Sequence, residues 1–216
     1  FMKKIDVKKF YDNVSAYDNK EVVVAGWVKS ARGGKTFGFL DVNDGSSFKG
    51  VQVVFDADKL SNFDIVSKLN TGSSVKATGT LIATPDARQP FEIHAKEVEV
   101  LSATDSEYPL QKKKMTLEYL RENAYLRPRT NTFSAVFKIR SECAYAIHKF
   151  MHEEGFVYVH TPILTKSDCE GGSELFKVST QDIYAPNSSL KPEDELFGAK
   201  VYLTPTGQLE GETMAM

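Results

Sequence analysis

Two groups of residues in this 216-residue chain have the types and spacing to do chemistry. Near its far end, Gln208 and Glu212 are four apart in a stretch that reads as helical after Thr204-Pro205-Thr206-Gly207, so they share a helix face. A carboxylate accepts from an amide NH₂ or an ammonium, while a glutamine both donates and accepts. Such a pair could read an amino acid, or could be a solvated first helical turn. Upstream, Glu170 stands between Cys169 and the glycines Gly171 and Gly172, which would let backbone approach a ligand closely; a surface loop is the alternative. In the front half, Arg32 and Lys35 are expected in the loop between a first strand and a second that carries Phe37 and Phe39, and Gln52 lies on the third strand. The two phenylalanines are two apart and point to one face. An aromatic beside cations is what base stacking with phosphate attraction requires, although one of the two rings could instead be core. Trp27 is assigned to the core. His148 and His152 are at i, i+4, but the residue after His148 is Lys149, not glutamate, and no third ligand is evident. They read as surface histidines, and no metal site is expected.

These side chains need elements to hold them. A short helix is predicted over 7–13. Strands are predicted over 21–30, 36–42, 49–55, 74–83 and 91–101, with a short helix at 62–70 between the third and fourth. In the fifth strand Phe91, Ile93 and Ala95 alternate with Glu92, His94 and Lys96. Three strands, a helix and two strands match an OB-fold, a five-stranded Greek-key barrel whose second and third strands bind oligonucleotides. A small barrel without a ligand is the alternative. Residues 105–129 lack strand character and read as a connector, with a short helix at 116–122. From Thr132 apolar residues recur at Phe133, Val136, Phe137, Cys143, Ala144, Ile147, Phe150 and Met151, a helix with one buried stripe that stops at Glu154-Gly155. Residues 157–161 are predicted as a buried strand ending at Pro162, and 209–216 as a helix. The expected fold is α+β and multidomain: a barrel over 1–104, a hinge over 105–129, and the start of a second domain over 130–216.

Hydrophobic residues make up 41% and charged residues 26%, a globular composition. No run reaches the ~18 apolar residues of a membrane span, and the N-terminus has no apolar signal segment. Two cysteines give neither a disulfide framework nor metal spacing; a reducing, cytoplasmic setting follows. The formal net charge of −2 hides an asymmetry: residues 1–104 are net +1, 105–129 net +2 and 130–216 net −5. A polyanion would meet the front more favourably than the rear.

Taken together, these stretches resemble the class II aminoacyl-tRNA synthetases of the aspartyl/asparaginyl/lysyl subgroup, and within it the bacterial asparaginyl family, across nearly all of 2–216. Gly26-Trp27-Val28, Phe39-Leu40-Asp41-Val42, Asp44-Gly45-Ser46 and Gln52-Val53-Val54 are similar to that family's anticodon-binding barrel. Tyr125-Leu126-Arg127-Pro128-Arg129 looks like the approach to its catalytic domain. The long helix with Gly155, Phe156 and onward to Pro162 resembles motif 1, which in this class makes the homodimer interface. Asp168-Cys169-Glu170-Gly171-Gly172 and Gly207-Gln208-Leu209 with Glu212-Thr213 resemble two amino-acid-binding segments. Two departures stand out: Gly171-Gly172-Ser173 where Gly-Ala-Gly is usual, and Thr204-Pro205-Thr206 where Thr-Val-Ser is usual.

The resemblance implies roles. Arg32, Phe39 and Gln52 would read the anticodon, Phe39 by stacking and Gln52 by base-edge hydrogen bonds. Glu170 and Gln208 would hold the substrate α-ammonium, and Glu212 would accept from a side-chain amide. Aspartyl enzymes carry a lysine in that last segment; here a carboxylate stands in the region, which suits asparagine and repels aspartate. The implied function is ATP-dependent activation of L-asparagine and transfer to tRNA(Asn) by a homodimer, with Mg²⁺; a non-catalytic tRNA-binding piece and an aspartyl enzyme of relaxed specificity are the alternatives. The family's motifs 2 and 3, which supply arginines for ATP phosphates, are not found. The chain is therefore expected to be the N-terminal part of a protein of about twice the length, with its ATP-binding residues beyond Met216, and to be inactive alone.

Overall fold

A computed structural model describes residues 3–113, 115–168, 171, 174–182 and 191–215. They form two compact units, 1–142 and 143–216.

The first unit is built on five strands: β1 (Glu21–Gly33), β2 (Phe37–Asn43), β3 (Val51–Asp56), β4 (Ser74–Ala83) and β5 (Phe91–Ser102). They close a barrel in the order β1-β2-β3-β5-β4, with β3 and β5 parallel and the other pairs antiparallel. This is the expected OB-fold, and the reason lies in the alternation. Along β3, Val51, Val53 and Phe55 are buried while Gln52, Val54 and Asp56 face outward. Phe91, Ile93 and Ala95 do the same on β5. β1 runs three residues past its expected end, because residues 21–27 pair with β4 and 27–33 with β2. Lys29 is the extra residue of a bulge between Val28 and Ser30. Gly38 lets β2 lie against the core: a Cβ there would sit 2.4 Å from the Phe55 ring.

Helix α1 (Val7–Asp12) plugs the barrel with Val7 and Phe10. Its N-cap side chain makes no capping bond; Asp44, in the turn after β2, accepts the Val7 N–H at 3.0 Å instead. Burial works against the Asp44 charge, yet hydrogen bonds from the Ser46 hydroxyl and from the Val7 and Ser46 N–H groups, with Lys4 nearby, hold its carboxyl below the usual range. Helix α2 (Phe63–Val66) is shorter than the expected 62–70 and contributes Phe63 and Val66 to the core. The connector carries α3 (Leu117–Glu122), N-capped by Thr116, and a 3₁₀ turn at Arg127–Arg129.

Helix α4 (Asn131–Glu153) begins in the first unit and ends in the second. It stops as expected: Gly155 adopts φ +86°, and the Gly155 and Phe156 N–H groups bond the His152 and Met151 carbonyls. Its apolar stripe, expected to be buried, is not; Ile147 is 65% and Phe150 60% exposed. The strand expected over 157–161 is also absent: those residues pair with no described strand, and Val157 is 85% exposed. β-branched composition favours extended backbone, but a strand exists only where a neighbour takes its hydrogen bonds. The rest of the second unit is a small antiparallel sheet, β6 (Leu164–Thr165), β7 (Lys177–Val178) and β8 (Val201–Leu203), in the order β6-β8-β7, followed by α5 (Gln208–Met214). No described helix is long and apolar enough to cross a membrane.

Candidate nucleic-acid face and amino-acid pocket

On the barrel exterior, strand register lines up side chains in rows. Arg32 of β1 opposes Phe39 of β2, Phe39 opposes Val54 of β3, and Val54 opposes His94 of β5. One step along, Ser30, Asp41, Gln52 and Glu92 form a second row. Directly paired residues of neighbouring strands project to the same face, so Arg32, Phe39 and Gln52 share one surface. Phe39 is half-buried, edge-on to the exposed Phe37 with ring centroids 5.5 Å apart, and the Arg32 guanidinium lies 5.5 Å from its ring centre. That is an aromatic platform with a cation beside it. Gln52 donates Nε2–H to Glu92 Oε2 at 3.1 Å, while Glu92 Oε1 lies 2.7 Å from His94 Nε2.

Trp27, assigned to the core from sequence, is 45% exposed. The Arg129 guanidinium lies 5.4 Å from its ring centre and donates from Nη1 to the Tyr108 hydroxyl at 2.9 Å. Lys29, pushed outward by its bulge, donates to the Arg129 carbonyl. Trp27, Lys29, Arg32, Asp41, Gln52 and Arg129 all line one cleft of about 1320 Å³. Burial raises the Asp41 carboxyl above its ordinary value against the pull of Lys29 and Arg32. Burial lowers Lys29, and Arg129 adds to that, against Asp41. The cleft is thus a place where charges are partly dehydrated and mutually dependent.

In the second unit, Gln208 and Glu212 open α5 and share a face as expected, with Gln208 Nε2 donating to Glu212 Oε1 at 2.9 Å. Glu170, the third residue of that group, lies outside the described residues, as do Cys169, Gly172 and Ser173. Gly155, Phe156 and Pro162 follow α4 on an exposed segment. His148 stands edge-on to Tyr158, ring centroids 4.9 Å apart. The buried Glu195 receives hydrogen bonds from the Lys177 ammonium and the Ser179 hydroxyl, in that order the main reasons its carboxyl is held low. Sequence reasoning singled out Arg32, Phe39 and Gln52 but not Glu92, His94, Lys29 or Asp41 as their neighbours. The alternation of β5 marked Glu92 and His94 as outward; their adjacency to Gln52 depends on the parallel β3–β5 pairing, which no local pattern announces.

Residues 22–101 match the family of OB-fold nucleic acid binding domains, and 116–198 match the class II tRNA synthetases (D, K and N). The chain is 52% identical over 214 residues to an asparagine–tRNA ligase of Clostridium perfringens, covering 97% of this chain and 46% of that protein. It is 52% identical over 219 residues to that of Acetivibrio thermocellus, covering 47% of it. The chain thus spans about half the length of the curated relatives it matches. Among solved structures, asparaginyl-tRNA synthetase from Pyrococcus horikoshii complexed with asparaginyl-adenylate superposes with a TM-score of 0.80 at 25% identity, over 99% of this chain and 45% of that one.

Proposed function

Since the chain belongs to the class II tRNA synthetases of the aspartyl, lysyl and asparaginyl group, we propose that its whole protein joins L-asparagine to tRNA(Asn) at the expense of ATP. The barrel, 1–104, is the anticodon-binding part, 105–129 the hinge, and 130–216 the portion of the catalytic domain that holds the amino acid. On the barrel, Phe39 stacks a base, Arg32 attracts the adjoining phosphate and Gln52 meets a base edge.

The observation that carries asparagine is the Gln208–Glu212 pair, one turn apart on a face of α5. Glu212 offers an acceptor to a side-chain amide, and no cation stands beside it on α5 to favour a second carboxylate. Gln208 and Glu170 hold the substrate α-ammonium. Binding asparagine replaces the Gln208–Glu212 bond by bonds from each residue to the ligand, so neither group is left unpaired. A site built this way rejects the aspartate isostere by leaving polar groups unsatisfied, a discrimination that can reach about 10⁴-fold.

ATP and Mg²⁺ belong to the family's reaction, and the residues present here do not fit a triphosphate. Residues 130–216 hold six lysines and one arginine, Arg140, against twelve carboxylates; Lys149 lies 3.7 Å from Glu153, and Lys177 is held by Glu195. The ATP site is therefore assigned outside residues 1–216. The uncovered apolar side chains Ile147, Phe150, Met151, Phe156, Val157 and Tyr158 are assigned to a homodimer interface, where a second copy would cover them, and the protein is assigned to the cytoplasm.

Amino-acid-dependent ATP–pyrophosphate exchange by the full-length protein tests the reading. Exchange with asparagine and not aspartate is expected. Preference for aspartate would make it an aspartyl enzyme, and exchange with neither would leave only a tRNA-binding protein.

A further inference from the structure

We propose that His94 is a positioning residue of the RNA-reading face: by occupying one oxygen of Glu92 it leaves the other to the Gln52 amide, and so fixes which edge of that amide meets a base. The inference rests on reading this barrel face as the RNA surface.

The geometry is a chain of three side chains across two parallel strands. His94 Nε2 is 2.7 Å from Glu92 Oε1, and Glu92 Oε2 accepts from Gln52 Nε2 at 3.1 Å. An ionised carboxylate only accepts. The Gln52 group turned toward Glu92 must therefore be its NH₂, and its carbonyl oxygen is the atom left for a ligand. An acceptor at that position selects a base edge that donates an N–H and disfavours one that does not. Without His94, Glu92 is free to turn and the Gln52 amide loses its fixed partner.

The test is equilibrium binding of the full-length protein to RNA stem–loops bearing the asparagine anticodon at fixed ionic strength. Stem–loops carrying uridine or 3-methyluridine, which lacks the N3–H donor, at each anticodon uridine in turn measure discrimination. Wild type should prefer uridine at one position. His94→Gln, which keeps a donor toward Glu92, should keep the preference; His94→Ala should lose it. Undiminished preference in His94→Ala, or its loss in His94→Gln, overturns the proposal. Phe39→Ala separates the two levels. If it binds RNA as wild type does, the face is not the RNA surface. If it fails to bind while the His94 variants behave as wild type, the face stands and only the role of His94 falls.

Discussion

In the first unit each barrel strand is hydrogen-bonded on both edges, and Leu40, Val53, Phe55, Phe91 and Ile93 are fully covered. In the second, three strands of two or three residues make one small sheet, and Val201 is the buried hydrophobic residue among those described. The barrel therefore satisfies its backbone and its apolar side chains from its own sequence. Its exterior is free to carry a pattern of cation, aromatic ring and amide for another molecule. The second unit exposes apolar side chains of the kind a core would use.

The comparison breaks or sharpens on substitutions, the largest effect first. Phe55→Ala should cost about 3–5 kcal/mol of unfolding free energy by denaturant titration of this chain, because it empties the middle of a closed core. Ile147→Ala, on the exposed stripe of α4, should stay within about 0.5 kcal/mol in the same chain; a loss as large as that of Phe55→Ala would mean the second unit has a core of its own. Phe39→Ala should weaken tRNA binding by about 1–3 kcal/mol in filter-binding or fluorescence titration and leave asparagine-dependent exchange by the full-length protein unchanged. Equal loss of both would turn Phe39 from a platform into a strut.

Asp41→Asn gives a smaller, signed effect. Because the folded-state pKa of Asp41 is raised, its ionisation opposes folding. The stability tied to its protonated form is fully present below the unfolded-state pKa and is lost as pH rises through the folded value. Thermal unfolding should therefore show Asp41→Asn more stable than wild type at neutral pH, with the gap closing toward about pH 3, below the ordinary carboxylate range. Smallest of all, Lys76→Met should change stability by less than about 1 kcal/mol, since the Lys76–Glu99 pair is exposed and screened by solvent.

Much of the barrel was legible because its information is local. Period-two alternation gave all five strands, with β4 at its observed bounds, and put Phe37 and Phe39 on one face, while leaving open whether one ring was core. Trp27 shows where the reading failed. Val22, Val24 and Val28 of β1 face the core, and position 27, of the opposite parity, leaves the indole exposed although the residue type is assigned to the core from sequence. The adjacency of His94, Glu92 and Gln52 was not legible, because parallel pairing joins strands forty residues apart without leaving a local mark. In the second unit the helix and its glycine stop were local and were read correctly. The strand over 157–161 and the burial of the α4 stripe were not, since each depends on a neighbour that composition does not name.

The contact between Lys29 and Arg129 spans 100 residues of sequence. Closing a free loop of that length costs about 4 kcal/mol of chain entropy, far more than one exposed hydrogen bond returns. The bond becomes affordable only after β4 has paired with both β1 and β5, when the barrel itself has shortened the loop. Folding of the first unit is thereby ordered in time: the barrel condenses first, and the segment from Tyr108 to Arg129 docks onto it afterward. A stopped-flow experiment should find the Trp27 environment maturing in two steps, with Lys29→Met slowing or removing only the second.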